Sequence, residues 1–434
     1  MKKVLLSAIA LFCIGAAIAH FAQNQPGPTK KPMAAPTPGG ATSSNKPVTS
    51  VTWEPLIEMD EMLFPSYVYA IATRKSNYKA TDDYKGDPEG QIGIGITCPS
   101  ANTKIKVVIE APEIMYTTTY EETLANANKK YEIFPVIKYK FDELLKIKQP
   151  KIVSINFKVF VNDKEIGEKT KITNIRSIND CLIGFTYRDN KTVKMQEWMV
   201  SAYVNENSPL IQDQILPAVM KTKVIDNITG YLTYSDKNTD ECTKNVLLQV
   251  LAVWTALQER NVVYSSITGN SSSNKLAYQY IRYLDDSWRS NQANCVDGSA
   301  LFASILYKMG IQPIMIIVPG HCFLGFYDRP IQNENGKFID DRPMYFLETT
   351  LIGNKTVDET KLSQVVVDYF DQIVKPEVKQ NNSFAVKSFI NALLVGTGEY
   401  RQYKPYFGDP SKRCVLCDVD QCRREGVSAI PYKD

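Results

Sequence analysis

The segment Asn294-Cys295-Val296-Asp297-Gly298-Ser299 places a cysteine where the apolar pattern predicts the start of a helix. The first backbone N–H groups of a helix have no partner within it, and the positive end of the helix dipole lies at the same place. Both favour the thiolate, which is the nucleophilic form of cysteine. Asp297 suits this end of the dipole and is expected to cap it. Cys295 is therefore a candidate nucleophile, although a small buried residue at a helix start produces the same local pattern.

A thiol nucleophile needs a base, and the sequence offers one imidazole outside its N-terminal end. The chain has two histidines, His20 and His321, and imidazole is the side chain suited to this role at neutral pH. His321 follows Pro319-Gly320 between two apolar, strand-like runs, where a strand edge can present it to a helix N-terminus. A single histidine is more often structural. Its position directly downstream of a helix-capping cysteine favours a Cys–His pair.

The imidazole requires an acceptor for its second N–H, which fixes the tautomer and the ring orientation. Glu348 ends the apolar run 344–347 and would be costly to bury without a partner. Asp328, Asp340 and Asp341 are competing acids, but they lie in a loop rich in turn residues, where a solvated role is expected. We therefore predict Glu348 as the third member.

Acyl transfer also requires donors for the oxyanion that forms on the substrate. The backbone N–H of Cys295 is one natural donor. For the second, Gln292 is predicted, because it precedes the nucleophile and carries an amide N–H; Trp288 or another upstream side chain is the alternative.

The elements that must position these residues form an α+β pattern. Apolar residues at helical spacing predict a helix over 242–260 with Asp240 as N-cap, a second helix over 276–288, and a third from Cys295 to the stop at Gly310. Strands are predicted at 314–318, 322–327 and 344–347.

The preceding part of the chain, from 51 to 186, shows the period-two pattern of strands. Ile92, Ile94 and Ile96 alternate with smaller residues, and an alternating run over 153–161 meets a turn at 162–164 that predicts a hairpin. Several short strands between turns predict an all-β sandwich of the immunoglobulin-like kind. No catalytic spacing occurs there, so a binding or spacer role is expected.

The order of these motifs along the chain resembles the order found in the transglutaminase-like superfamily, which belongs to the papain-like group of cysteine enzymes. The shared features are a helix-capping cysteine followed by Asp297, the helix Ala-Leu-Phe-Ala-Ser-Ile-Leu, Met-Gly-Ile, an apolar strand, Gly-His, and a strand that ends in an acid. The match covers roughly 247–350. The resemblance implies an α+β catalytic fold with Cys295 as nucleophile, His321 as base and Glu348 as orienting acid. This chain departs from the family at Glu348, where aspartate is frequent, and at Cys322, where an aromatic residue often follows the histidine.

The N-terminus predicts export. Lys2 and Lys3 precede an apolar run over 4–19 that ends in Ala17-Ile18-Ala19, the layout of a signal peptide with its cleavage site. Residues 20–50 are rich in Pro, Gly, Thr and Ser and read as a flexible linker. The expected organisation is a signal peptide (1–19), this linker (20–50), the β-sandwich (51–186), the transglutaminase-like domain (187–350) and a C-terminal extension (351–434) that packs on it. An uncleaved N-terminus would act as a membrane tether.

The charge composition excludes nucleic-acid binding, whereas the state of the C-terminal cysteines has several alternatives. The chain has 50 Lys plus Arg and 47 Asp plus Glu, with no concentrated basic face, so no nucleic-acid partner is predicted. Of nine cysteines, one lies in the predicted signal peptide. Cys414, Cys417 and Cys422 are read as structural thiols, with a disulfide or a metal site as alternatives; zinc requires a fourth ligand. No metal or cofactor is predicted.

The function expected from the sequence is that of an exported cysteine enzyme, whether periplasmic, at the cell surface or secreted. It would cleave an amide of a protein, peptide or cell-wall peptide through an acyl-enzyme. Water as second nucleophile makes a peptidase or amidase, which export slightly favours, and a lysine amine makes a protein-glutamine acyltransferase. The alternative is an inactive transglutaminase-like binding module.

Overall fold

The computed structural model describes residues 50–74, 82–87, 89–186, 193–266, 270–272, 275–339, 342–409 and 412–432. The predicted signal peptide and residues 20–49 of the predicted linker, with His20, lie outside these ranges, as do Asp340 and Asp341. The strands are β1 Thr52–Ile57, β2 Met62–Leu63, β3 Tyr84–Gly86, β4 Ile92–Thr97, β5 Thr103–Glu110, β6 Thr118–Leu124, β7 Lys130–Phe134, β8 Lys151–Val161, β9 Lys164–Ile175, β10 Asp180–Thr186, β11 Val193–Met195, β12 Val263–Tyr264, β13 Asn270–Ser272, β14 Leu276–Tyr280, β15 Gln292–Ala293, β16 Pro313–Val318, β17 His321–Tyr327, β18 Met344–Leu347 and β19 Val415–Asp418.

The helices complete a mixed α+β architecture. They are α1 Pro65–Ala70, α2 Phe141–Leu145, α3 Leu216–Lys221, α4 Thr239–Glu259, α5 Leu284–Ser290, α6 Cys295–Lys308, α7 Gln364–Ile373, α8 Pro376–Tyr403 and α9 Val419–Arg424. Single or short turns occur at Glu58–Glu61, Glu197–Tyr203, Ile211–Ile215, Thr349–Leu351, Glu359–Lys361 and Lys404–Tyr406. Within the described ranges, no helix is both long and apolar enough to cross a bilayer.

Two sheets share one core in the N-terminal part of the chain. Their strand orders are β1-β4-β7-β3 and β2-β9-β8-β5-β6. Alternate residues of β4, β5 and β8 are buried in one cluster, as the period-two pattern predicts. The predicted hairpin is confirmed: β8 and β9 are antiparallel, with Val161 opposite Lys164. Asn162 and Asp163, at φ of 48° and 64°, form the turn, because these residue types tolerate left-handed backbone.

The larger core surrounds α4 and α6 and is bordered by two other sheets. One has the order β11-β10-β14-β13, and the other has the order β18-β17-β16-β19. The three strands predicted at 314–318, 322–327 and 344–347 are confirmed as β16, β17 and β18, which pair antiparallel in that order. The site residues lie on this second sheet and on α6.

Two local predictions are wrong. A helix is predicted over 276–288, but residues 276–280 are strand β14 and the helix α5 begins only at Leu284. The alternative conformation is stabilised by β10, which pairs antiparallel with β14. Asp240 lies in the first turn of α4, whose N-cap is Asn238, so the helix begins earlier than predicted.

The strand β10 lies before the expected boundary at 186 but packs with the part of the chain that follows it. Its buried residues Cys181, Leu182 and Phe185 belong to the larger core, and its partner is β14 rather than a strand of the N-terminal sheets. The C-terminal segment likewise contributes to the site's sheet. Strand β19 pairs with β16, with Met315 opposite Cys417. Asp418 caps α9 through the N–H of Gln421, and Gly426 ends that region at φ of 88°.

Helix α8 packs directly on β18, the strand that leads to Glu348. The Glu348 N–H donates to the carbonyl of Ala392, 3.0 Å away, and Phe346 stacks on Tyr400 at 3.9 Å between ring centroids. The close approach occurs at Gly396. A Cβ there would lie 2.8 Å from the backbone N of Leu347 and 3.0 Å from that of Glu348.

We expect Gly396→Ala to destabilise the protein and Gly398→Ala to stabilise it. Alanine is favoured over glycine in a helix interior by about 0.5–1 kcal/mol. At position 398 a Cβ meets nothing within 4 Å, so only this gain remains. At position 396 the added carbon forces backbone apart, which costs about 1–3 kcal/mol. Urea unfolding of the two variants measures both signs. Equal stabilisation by the two substitutions would contradict the packing of α8 on β18.

Candidate active site

Cys295 is the first residue of α6, and the helix is capped as the sequence predicts. The Asn294 side chain accepts the Asp297 N–H at 2.9 Å, and the Asp297 carboxylate accepts the Asn294 N–H at 3.1 Å. This reciprocal pair is a capping box. It leaves Cys295 half-exposed at the helix N-terminus, whereas the other cysteines of the described ranges are buried.

A buried ion pair holds the cap in place. The Asp297 carboxylate also accepts the backbone N–H of Arg282 at 2.8 Å and its guanidinium at 3.1 Å. The Asp297 side chain is 0% exposed and that of Arg282 is 9% exposed. Burial raises the pKa of Asp297, and the donors from Arg282 and Asn294 act in the opposite direction. Arg282 thus connects the segment before α5 to the first turn of α6.

His321 reaches the site from a tight turn at the edge of the sheet. Val318 and His321 are paired across the loop Pro319-Gly320, and Gly320 has φ of 79°, which is the conformation that position i+2 of a type II turn requires. The ring interacts with Cys295 on one side and with Glu348 on the other, where His321 Nε2 lies 2.7 Å from Glu348 Oε2. The hydrogen bond with Cys295, then that with Glu348, raises the pKa of His321 to about 10.

Glu348 is 3% exposed and has hydrogen-bond partners on both carboxylate oxygens. Oε2 faces His321, and Oε1 accepts the Thr350 N–H at 3.0 Å and the Thr350 hydroxyl at 2.5 Å. The carboxylate is thereby fixed in orientation. Asp328, the competing acid within the described ranges, is instead paired with Arg329 at 2.8 Å. The structure therefore brings the predicted residues Cys295, His321 and Glu348 together, and Glu348 rather than Asp328 is the acid that contacts His321.

The three residues belong to one small network with the start of α6. The Ser299 hydroxyl donates to the Cys295 carbonyl at 2.8 Å and lies 3.1 Å from the Thr349 hydroxyl. Thr349 follows Glu348 in the chain, so this contact joins α6 to the segment that carries Glu348. The segment that carries Cys295 and the segment that carries Glu348 are thus held together by hydrogen bonds.

A cavity of about 550 Å³ opens on Cys295 and His321. Its wall includes residues of β10, β14, β16 and the turn before His321. This volume is in the usual range for a ligand site, and both apolar side chains and polar or charged side chains line the cavity.

Gln292 does not line this cavity within the described structure: its side chain is exposed, and it lies in β15 beside β12. Several polar or charged residues that the sequence did not indicate do line it, among them Tyr264 and Gln279. Burial raises the pKa of the Tyr264 phenol, and the charges of Cys295 and Glu348 add to the shift. The sequence signal for Gln279 is the period-two alternation of residues 276–280, which is typical of a strand.

The cysteines near the site differ in surroundings. Cys322 is 1% exposed and packs in the larger core, whereas His321 stacks at 6.0 Å on Phe323, which belongs to a separate cluster on the other face of the sheet. Cys417 and Cys422 lie 3.7 Å apart, sulfur to sulfur, as free thiols. Cys414 is in the separate cluster with Phe323. Across the described ranges, no group of three His, Cys, Asp or Glu residues is arranged to hold a metal ion.

Comparison with known proteins adds no assignment. No protein-family model matches the chain, and no curated protein sequence matches it.

Proposed function

We propose that this protein is a cysteine enzyme of the transglutaminase-like type that acts on an amide bond through an acyl-enzyme. The observation that carries the proposal is that His321 shares an open cavity with the half-exposed Cys295 thiol, which acts on the ring, and is hydrogen-bonded to the Glu348 carboxylate. A purely structural histidine has no need of a thiol at a helix N-terminus on one side and a fixed carboxylate on the other.

The reaction follows from the two protonation states of His321. With the ring protonated, the Cys295 thiolate attacks the amide carbonyl carbon, and the oxyanion accepts the Cys295 N–H. The imidazolium then donates its proton to the leaving amine, and the C–N bond breaks to give a thioester. The neutral ring next takes a proton from water, whose hydroxide attacks the thioester and releases an acid and the thiolate. A second oxyanion donor is available in the cavity wall from Tyr264 or Gln279 rather than from Gln292.

Hydrolysis of a protein, peptide or cell-wall peptide amide is proposed in preference to transfer to a lysine amine. The motive is the predicted export of the protein to the periplasm, cell surface or medium, where an uncleaved N-terminus would tether it to a membrane. The two N-terminal sheets with a shared core are proposed to form an immunoglobulin-like sandwich that spaces or binds. An inactive binding module with the same fold is the second candidate, and reactivity separates the two.

Acyl-enzyme formation tests the proposal without a known substrate. Brief treatment with p-nitrophenyl acetate should acetylate Cys295 with a burst of p-nitrophenolate, because an activated nucleophile attacks the ester faster than the thioester hydrolyses. Peptide mass mapping locates the acetyl group. Cys295→Ala should abolish the burst, and Cys414→Ala, a matched change at a buried thiol, should preserve it. A protein that acquires no acetyl group at Cys295 is the binding module.

A further inference from the structure

Cys417 and Cys422 occupy two fixed positions around the cap of α9. Asp418 is the N-cap, and its side chain accepts the Gln421 N–H at 3.0 Å. Cys417 is therefore the residue before the cap, and Cys422 is the fourth residue of the helix. In capped helices these two positions are often in contact and are filled by a pair of apolar residues, which is called a hydrophobic staple. Here the staple consists of two thiols.

The two sulfur atoms of this pair already lie in contact. They are 3.7 Å apart, whereas a disulfide bond is about 2.0 Å long. Rotation of the two side chains about their Cα–Cβ bonds can cover a difference of this size. Cys417 is 3% exposed and Cys422 is 6% exposed, so a bond between them would lie in the interior of the protein.

The third cysteine of this segment is placed elsewhere. Cys414 packs with Phe323 in the separate cluster on the other face of the sheet, whereas Cys417 and Cys422 belong to the larger core. The Cys414 thiol donates to the Lys412 carbonyl at 3.5 Å. The sheet therefore separates Cys414 from the other two thiols and leaves Cys417 and Cys422 as a pair.

The surroundings of the pair tolerate the loss of its S–H groups. Cys417 Sγ lies 3.7 Å from the Trp198 carbonyl oxygen, and that oxygen also accepts the Ser201 hydroxyl at 2.8 Å. Because a thiol is a weak donor, the hydroxyl is the more important partner of this carbonyl. The hydrogen bond between the thiols lowers the pKa of Cys422 and raises that of Cys417. Cys422 is thus the sulfur that more readily becomes a thiolate.

We propose that Cys417 and Cys422 form a disulfide that fastens the end of β19 to the start of α9. Neither Cys295 nor His321 takes part, so the bond is independent of the proposed function. The predicted export would bring the chain into a compartment where disulfides persist.

The oxidant is another disulfide, either that of a thiol–disulfide oxidoreductase or that of a small thiol such as glutathione. The Cys422 thiolate attacks this disulfide, which gives a mixed disulfide and releases the first thiolate. The Cys417 thiolate then attacks the Cys422 sulfur and releases the second. The two protons of the protein thiols pass to the two released thiolates, so one disulfide is reduced to two thiols while one is formed in the protein.

The bond stabilises the strand that completes the sheet of the site. β19 pairs with β16, and β16 leads into the turn before His321. A disulfide restricts the unfolded chain, although a loop as short as this one restricts it less than a long loop does. We therefore expect the disulfide form to unfold at a temperature roughly 3–6 °C above that of the dithiol form.

Peptide mapping of the full-length protein tests the bond. Reduced protein, freed of reductant, is incubated in the folded state with oxidised and reduced glutathione, unfolded in the presence of N-ethylmaleimide, and digested with trypsin. The tryptic peptide 414–423 contains all three cysteines of the segment. It should carry maleimide on Cys414 alone and lack the two thiol hydrogens of the pair. Maleimide on all three cysteines, glutathione retained on Cys422, or a bond to any other cysteine overturns the proposal.

Three variants connect the bond to the change in stability. Cys414→Ala should form the bond and show the same rise in unfolding temperature on oxidation as the wild-type protein. Cys417→Ala and Cys422→Ala should each unfold at a temperature that does not rise when oxidised glutathione replaces the reduced form. A rise that persists in Cys422→Ala would assign the effect to another thiol and overturn the role of the pair. If a variant does not fold, the peptide map of the wild-type protein decides alone.

Discussion

Replacing His321 with alanine should slow the alkylation of Cys295 by iodoacetamide at about pH 6 on the order of a hundredfold. At that pH ordinary thiols are almost entirely protonated. The His321 ring carries a proton well above neutrality, because its hydrogen bonds with Cys295 and Glu348 raise its pKa to about 10. The proposed function requires an imidazolium beside the reacting sulfur, and alanine removes that charge while the helix N-terminus remains. Mass mapping after brief labelling gives the rate at each cysteine.

The competing thiols serve as internal controls for this experiment. Cys417 and Cys422 interact with each other, and the hydrogen bond from Cys417 lowers the pKa of Cys422, but both are buried. Wild-type labelling should therefore concentrate on Cys295, which is half-exposed. Preferential labelling of Cys414, Cys417 or Cys422, with Cys295 untouched, would show a folded protein without an activated nucleophile.

The same pKa predicts a change of stability with pH. The folded-state pKa of His321, about 10, exceeds its ordinary value of 6.5. The protonated ring therefore stabilises the fold fully below about pH 6.5, and this contribution is lost as the pH rises through about 10. This decrease in the free energy of unfolding with rising pH should be absent in His321→Ala. Glu348→Gln should lower the pKa of the ring, which NMR can follow because the chain has only one other histidine.

Replacing Asp297 with alanine should lower the free energy of unfolding by about 3–5 kcal/mol, the range for breaking a buried ion pair on one side. The Asp297 carboxylate accepts three hydrogen bonds, from the Arg282 and Asn294 backbones and from the Arg282 guanidinium. Alanine leaves the guanidinium buried without its partner and removes half of the capping box. Urea unfolding gives the change, and labelling of Cys295 should also slow because the start of α6 is no longer held.

Two further variants distinguish the effect of losing the buried ion pair from the effect of losing a helix cap. Asp358 caps the short turn Glu359–Lys361 at the surface, and Asp358→Ala should cost about 1 kcal/mol or less. The double variant Asp297→Ala/Arg282→Met should recover part of the loss, because the unpaired guanidinium is then gone. A double variant as unstable as Asp297→Ala alone would mean that the buried charge is not the cause.

Features that depend on neighbours in sequence could be predicted from the sequence. The capping box around Cys295, the Pro319-Gly320 turn, the hairpin turn at Asn162 and Asp163, and the cap at Asp418 each arise within a few residues. Their signals are the residue types that satisfy free N–H groups or adopt left-handed backbone. The residues that meet at the site, Cys295, His321 and Glu348, could also be chosen, because each ends or begins an element with a clear apolar pattern.

Features that depend on distant partners were decided by tertiary structure. Residues 276–280 form a strand because β10 offers them backbone partners, and no local propensity contains that information. The sheet that holds His321 is completed by β19 from near the C-terminus, and Glu348 is positioned by α8 through Ala392 and Gly396. The position of Gln292 before Cys295 predicts that it lines the site, yet other polar residues, Tyr264, Gln279 and Glu197 among them, line the cavity instead. Nearness in sequence does not determine which side chains line a cavity between elements that meet only in the folded chain.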